Sequence, residues 1–142
     1  MSTIRVRPTS IAKHYGNIMP TKLHVLVIED NSISQMITMA MLRELGITAS
    51  IASDLAQARL LLLEEEFNAI MMDAQLPDGN GLDLTREYIE QGGKLPVIAL
   101  TGTPKLSEYY QECMQAGMAD YLEKPYTLKQ LHESLLFHTS KS

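Results

Sequence analysis

Apolar residues follow two rhythms along this chain. Short unbroken runs such as Val25-Leu26-Val27-Ile28 and Ala69-Ile70-Met71-Met72 predict strands buried on both faces. Between them the apolar positions take helical spacing, clearest in Ile33, Met36, Ile37, Ala40 and Met41. Strands are expected over 23–28, 47–52, 68–73, 96–100 and 119–123. The first helix is expected from an Asn31 or Ser32 cap to a stop at Gly46. A second runs from a Ser53 cap to about residue 65, where Glu64-Glu65-Glu66 opposes the helix dipole and predicts a frayed end. A third spans 82–91 and stops at Gly92-Gly93. A fourth starts with Pro104 in its first turn and stops at Gly117. Thr127 caps a fifth, which ends near residue 137. Five strands alternating with five helices predict an α/β fold, a parallel sheet covered on both faces. Residues 1–21 have no clear period and are punctuated by Pro8, Gly16 and Pro20, which predicts an irregular leader.

Composition narrows the classes. A length of 142 residues predicts one domain. A chain of that size buries roughly 68–70% of its unfolded surface, enough for a core without staples. One cysteine, Cys113, excludes an internal disulfide and fits a reducing, cytoplasmic setting. No apolar run is long enough for a membrane span. The net charge of −5 is uneven. Arg5, Arg7, Lys13 and Lys22 give residues 1–24 a charge of +4, and the other 118 residues carry 8 basic and 17 acidic side chains, or −9. A body that acidic argues against nucleic-acid binding by the domain itself.

In open parallel sheets the chemistry gathers beyond the carboxyl ends of the strands. The residues expected there are Glu29-Asp30, Asp73, Thr101-Gly102-Thr103 and Lys124-Pro125. Two carboxylates about 4 Å apart repel by about 4 kcal/mol at an effective dielectric of 20, so three acids on one rim call for a cation. Oxygen ligands of this kind suit Mg²⁺. An ionised Asp can attack phosphorus, while an ammonium and a hydroxyl stabilise the transferring group. Each residue alone has a plainer reading: the acids as helix caps or solvated loop residues, Lys124 as a surface lysine, Tyr121 as a core aromatic. Other enzyme classes fit poorly. A dehalogenase-type hydrolase needs an Asp where Ser32 stands, and a flavin phosphate loop needs a glycine that residues 31–35 lack.

Four segments together resemble the receiver domain of two-component response regulators. They are Val27-Ile28-Glu29-Asp30-Asn31, the stretch from Met72-Asp73-Ala74-Gln75 to Asn80-Gly81, Ala99-Leu100-Thr101-Gly102, and Asp120-Tyr121-Leu122-Glu123-Lys124-Pro125. The resemblance implies a flavodoxin-like doubly wound sheet of order 2-1-3-4-5 over a domain at 22–142. It implies Asp73 as phosphoacceptor and Mg²⁺ held by Glu29, Asp30, Asp73 and the main-chain carbonyl of Gln75. Thr101 and Lys124 would contact the phosphoryl oxygens, Thr101 and Tyr121 would form the switch, and Gln75 and Thr103 would tune the phosphate lifetime. The wording around Asp30 and Asp73 is closer to receivers of hybrid histidine kinases than to those of transcription factors. The implied partner is a histidine kinase or histidine phosphotransfer protein, docking near Ile33 and Met36. A homodimer through the fourth helix, fifth strand and fifth helix is a further implication. Such a domain is a switch that catalyses its own phosphorylation and dephosphorylation. A degenerate module that binds partners without phosphate remains the competing reading.

Overall fold

A computed structural model describes residues 22–73 and 75–140. The leader expected over 1–21 lies outside them. The strands are β1 (His24–Ile28), β2 (Thr48–Ala52), β3 (Ala69–Asp73), β4 (Val97–Thr101) and β5 (Asp120–Glu123). They form one parallel sheet in the order β2-β1-β3-β4-β5, as the resemblance implied. The helices are α1 (Ser32–Glu44), α2 (Leu55–Glu64), α3 (Gly81–Glu90), α4 (Glu108–Ala116) and α5 (Leu128–Thr139).

Continuous apolar runs make sense because successive side chains in a strand feed opposite layers. Leu26, Ile28, Ile70, Met72 and Ala99 pack against Leu55, Leu82 and Cys113, under α2, α3 and α4. Val25, Val27, Met71, Ile98 and Leu100 pack against Leu42, Leu131 and Leu135, under α1 and α5. Pairing of Ile28 with Met72, Asp73 with Leu100 and Thr101 with Glu123 aligns the strand ends at one level.

Local chemistry sets most boundaries. Asn31 caps α1 by accepting from the Ser34 N–H. Thr127 and Gln130 form a reciprocal capping box on α5. Gly117 ends α4 with φ 103°, a left-handed conformation that glycine adopts without strain.

Three expectations need correction. The cap of α2 is Asp54, not Ser53, since the Asp54 carboxylate accepts from the Gln57 N–H at 2.8 Å. Ser53 is engaged elsewhere: its N–H donates to Gln57 Oε1, and its hydroxyl accepts from Gln35 Nε2. Pro104 does not open α4, which starts at Glu108. Residues 104–107 form a turn instead, closed by Ser107 N–H to the Pro104 carbonyl, while the Lys105 N–H goes to Glu123. The end of α2 is tied down where fraying was expected: Glu65 takes hydrogen bonds from Ser50 at 2.7 Å and His24 at 2.8 Å. A two-residue antiparallel ladder, Gln75–Leu76 with Gly79–Asn80, was not foreseen in the loop after β3.

Candidate functional site

Three acids converge where β1 and β3 end. Glu29 is carried one residue past β1 and held there by its N–H to the Ala52 carbonyl at 2.9 Å. Gln35, one turn into α1, donates to the Glu29 carbonyl. Asp30 follows and points to solvent, whereas Glu29 has no solvent exposure at all. Asp73 is the last residue of β3 and half-buried. Ligand oxygens of Glu29, Asp30 and Asp73 lie within 4.8 Å of one another, close enough to share one metal ion. Gly81 lets α3 start directly against this corner, since a Cβ there would stand 2.9 Å from the Asp73 carbonyl.

Lys124 answers the crowding from the end of β5. Its ammonium lies 2.6 Å from Glu29 Oε1 and 3.5 Å from Asp73 Oδ2. Burial works against the Lys124 charge, but the hydrogen bond to Glu29 and the charges of Asp73 and Glu29 outweigh it and raise the Lys124 pKa. Burial also pushes the Glu29 pKa up, reinforced by Asp73 and opposed by Lys124 and the Asn31 N–H. A fully buried carboxylate beside a second one is an unfavourable place for negative charge, and it is the place a divalent cation would improve most.

Thr101 is buried at the end of β4, and its hydroxyl accepts from the Thr103 N–H at 3.1 Å. The Lys124 N–H bonds the Thr101 carbonyl at 2.7 Å, which couples the two strand ends. Tyr121 is turned inward, its hydroxyl donating to the Thr103 carbonyl at 2.6 Å and its ring edge-on to Tyr110. At Gly102 a Cβ would meet nothing within 4 Å, so the rim is open there. Gln75 lies in the short ladder immediately beyond Asp73, paired with Asn80.

Two supports escaped the sequence reading. Asp78, in the loop after β3, accepts from the N–H groups of Leu55 and Ala56 and so ties that loop to the start of α2. Tyr126 reaches α1, its hydroxyl bonded to that of Thr38. Pro-Asp-Gly marks a turn, but nothing local says that its carboxylate caps a helix 22 residues away.

Fold and site together define a phosphotransfer signalling domain. A family model described as the response regulator receiver domain matches residues 25–136, and the chain belongs to that family. The receiver domain of the sensor histidine kinase PA1611 from Pseudomonas aeruginosa PAO1 is 35% identical over 85% of this chain and all of that one, with TM-score 0.77. Its structure has a magnesium ion coordinated in the active-site cleft. A chain from the Saccharomyces cerevisiae complex of the phosphotransfer protein Ypd1 with the Ssk1 receiver domain is 26% identical. That match covers 84% of this chain and 90% of that one, with TM-score 0.74. Histidine kinase 5 of Arabidopsis thaliana is 29% identical over 81% of this chain, which spans only 15% of that kinase. The likeness to receivers carried by histidine kinases agrees with the wording around Asp30 and Asp73. No helix among the described residues is long and apolar enough to cross a membrane.

Proposed function

We propose that the domain accepts a phosphoryl group on Asp73 from a phosphohistidine and changes its surface in response. The observation that carries this reading is the Lys124 ammonium set between Glu29 and Asp73, beside three carboxylates that can share one ion. An Asp73 carboxylate oxygen attacks phosphorus, the P–N bond to the donor imidazole breaks, and its electron pair leaves with the imidazole, which takes up a proton. Glu29, Asp30, Asp73 and the Gln75 carbonyl would hold Mg²⁺, which supplies neutralising charge for the phosphoryl oxygens. Lys124 and the Thr101 hydroxyl complete that neutralisation. Moving the Thr101 hydroxyl toward the phosphate would release the Thr103 N–H, next to the carbonyl that holds Tyr121. In this reading Thr101 and Tyr121 form the switch, and Gln75 and Thr103 tune the lifetime of the phosphate.

Ile33 and Met36 support a docking role for the start of α1, being 67% and 71% exposed. The same helix contributes Ser34, Ile37, Thr38 and Met41 to a groove of ≈ 310 Å³ completed by Lys124, Pro125 and Tyr126. A histidine kinase or phosphotransfer protein seated there would bring its imidazole to the rim. The exposed Phe137 and the groove between β5 and α5 support a homodimer through α4, β5 and α5. The domain turns over no separate substrate, binds no nucleic acid and works in the cytoplasm.

Incubation with acetyl phosphate and Mg²⁺, read by intact mass, tests the assignment. One added phosphate is expected on the wild type, none on Asp73→Asn, and none on the wild type in chelator. An unmodified wild type, or equal labelling of Asp73→Asn, would sink it.

A further inference from the structure

The turn between β2 and α2 carries none of the assigned metal ligands, yet both segments that bear them are fastened to it. On one side stands Glu29-Asp30. The Gln35 side-chain nitrogen has two hydrogens to donate. It meets the Glu29 carbonyl at 2.5 Å and the Ser53 hydroxyl at 3.2 Å. The Glu29 N–H is bonded to the carbonyl of Ala52, the residue before Ser53. Ser53 in turn donates its N–H to Gln57 on α2 at 2.8 Å. The backbone that presents the acid pair is thereby tied to the start of α2.

On the other side stands the loop after β3. It folds as a short hairpin, Gln75 paired with Asn80 and Leu76 with Gly79. Leu76 roots one arm in the core, and Asp78 sits at the tip. A hairpin this small has little stability of its own, so its position depends on what holds it. The two Asp78 carboxylate oxygens each take one N–H from the first turn of α2, Leu55 at 2.8 Å and Ala56 at 3.1 Å. Those N–H groups have no acceptor within the helix. A plain helix cap would explain one carboxylate here, and Asp54 already supplies it through the Gln57 N–H. Asp78 is a second acid at the same helix start, brought in from the loop that also carries the Gln75 carbonyl.

We propose that Gln35 and Asp78 are positioning residues for the metal site. Through their common hold on residues 53–56 they set the gap between the acid pair and the Gln75 carbonyl. The inference rests on the ligand assignment given above, and neither side chain is itself a ligand. The links form one chain: acid pair, Gln35, turn, Asp78, hairpin. A single cut anywhere in it frees the gap. Mg²⁺ demands near-ideal octahedral geometry, whereas Ca²⁺ accepts looser and more variable sets of oxygens. Loosening the gap therefore costs Mg²⁺ more than Ca²⁺.

Amide chemical shifts of the full chain, titrated with Mg²⁺ and separately with Ca²⁺, test it. Gln35→Ala and Asp78→Ala should each weaken Mg²⁺ binding about tenfold, the lower end for groups that orient metal ligands. Each should weaken Ca²⁺ binding less. The double variant should lose less than the product of the two single losses, because the first cut already frees the gap. The same spectra report whether each variant folds. Ser53→Ala removes only the hydroxyl that Gln35 reaches, and it repeats the test if Gln35→Ala unfolds. Unchanged Mg²⁺ affinity, equal losses for the two cations, or single losses that multiply in full would each overturn the proposal. A wild type that binds neither cation overturns the ligand assignment and this inference with it. A wild type that binds while the variants match it overturns this inference alone.

Discussion

A short contact to a glutamate stands at each end of β1, and the two are built differently. Beyond its carboxyl end, Lys124 meets Glu29 at 2.6 Å; at its amino end, His24 meets Glu65 at 2.8 Å. The distances are alike and the surroundings are not. Glu29 is sealed from water and shares its lysine with Asp73. Glu65 is open to water, and a hydroxyl, Ser50, shares the contact with the histidine. Water and the hydroxyls of Ser50 and Thr48 let the amino-end pair act as a clip between β1, β2 and the end of α2. Burial and a second carboxylate make the carboxyl-end pair an unbalanced charge cluster. The difference teaches that short contacts do not mark a functional site. What sets the proposed site apart is excess like charge held without solvent.

Removing Lys124 should break the comparison most severely. Lys124→Ala leaves Glu29 buried without its cation. A broken buried pair costs about 3 kcal/mol at the lower end of the usual range, which suits a lysine that is partly exposed. Urea unfolding in chelator measures it, and a loss under about 1 kcal/mol would mean that Lys124 does not balance the cluster. His24→Ala should cost less, about 1 kcal/mol, from the stacking on Phe67 and a half-exposed contact. A loss equal to that of Lys124→Ala would erase the distinction between the two ends.

Acid titration sharpens the contrast through sign alone. Burial, then Asp73, raises the folded-state pKa of Glu29 above its ordinary 4.5. The folded state therefore binds that proton more tightly than the unfolded chain. Stability from Glu29 falls as pH climbs from 4.5 to the raised folded value. Ser50 and His24 lower the pKa of Glu65 below 4.5. Its contribution is complete above pH 4.5 and is lost as pH falls through the lowered folded value. In chelator, Glu29→Gln should abolish a decline above pH 4.5, and Glu65→Gln should abolish a loss below it. Unfolding midpoints across about pH 3 to 7 read both. Matching profiles for the two variants would refute the assignment of opposite environments.

Much of this was legible before folding. Runs such as Val25-Leu26-Val27-Ile28 announce strands because only a sheet covered on both sides can bury every side chain of a short stretch. Once the strands are placed, Glu29, Asp30, Asp73, Thr101 and Lys124 fall on one rim, because parallel strands joined through helices all end at the same edge. What the sequence could not apportion is burial between neighbours. Glu29 and Asp30 are adjacent, yet one is sealed and the other open, since successive residues leave a strand toward opposite sides. The Asp54 cap, the late start of α4 and the anchoring of Glu65 also waited on tertiary structure. Each was decided by a partner that local propensity cannot see: Gln35 reaching Ser53, Glu123 taking the Lys105 N–H, and His24 across 41 residues. Sequence determined which elements form and which side chains share an edge. Folding decided which charges lose their water, because desolvation depends on everything packed around a group and not on its neighbours in the chain.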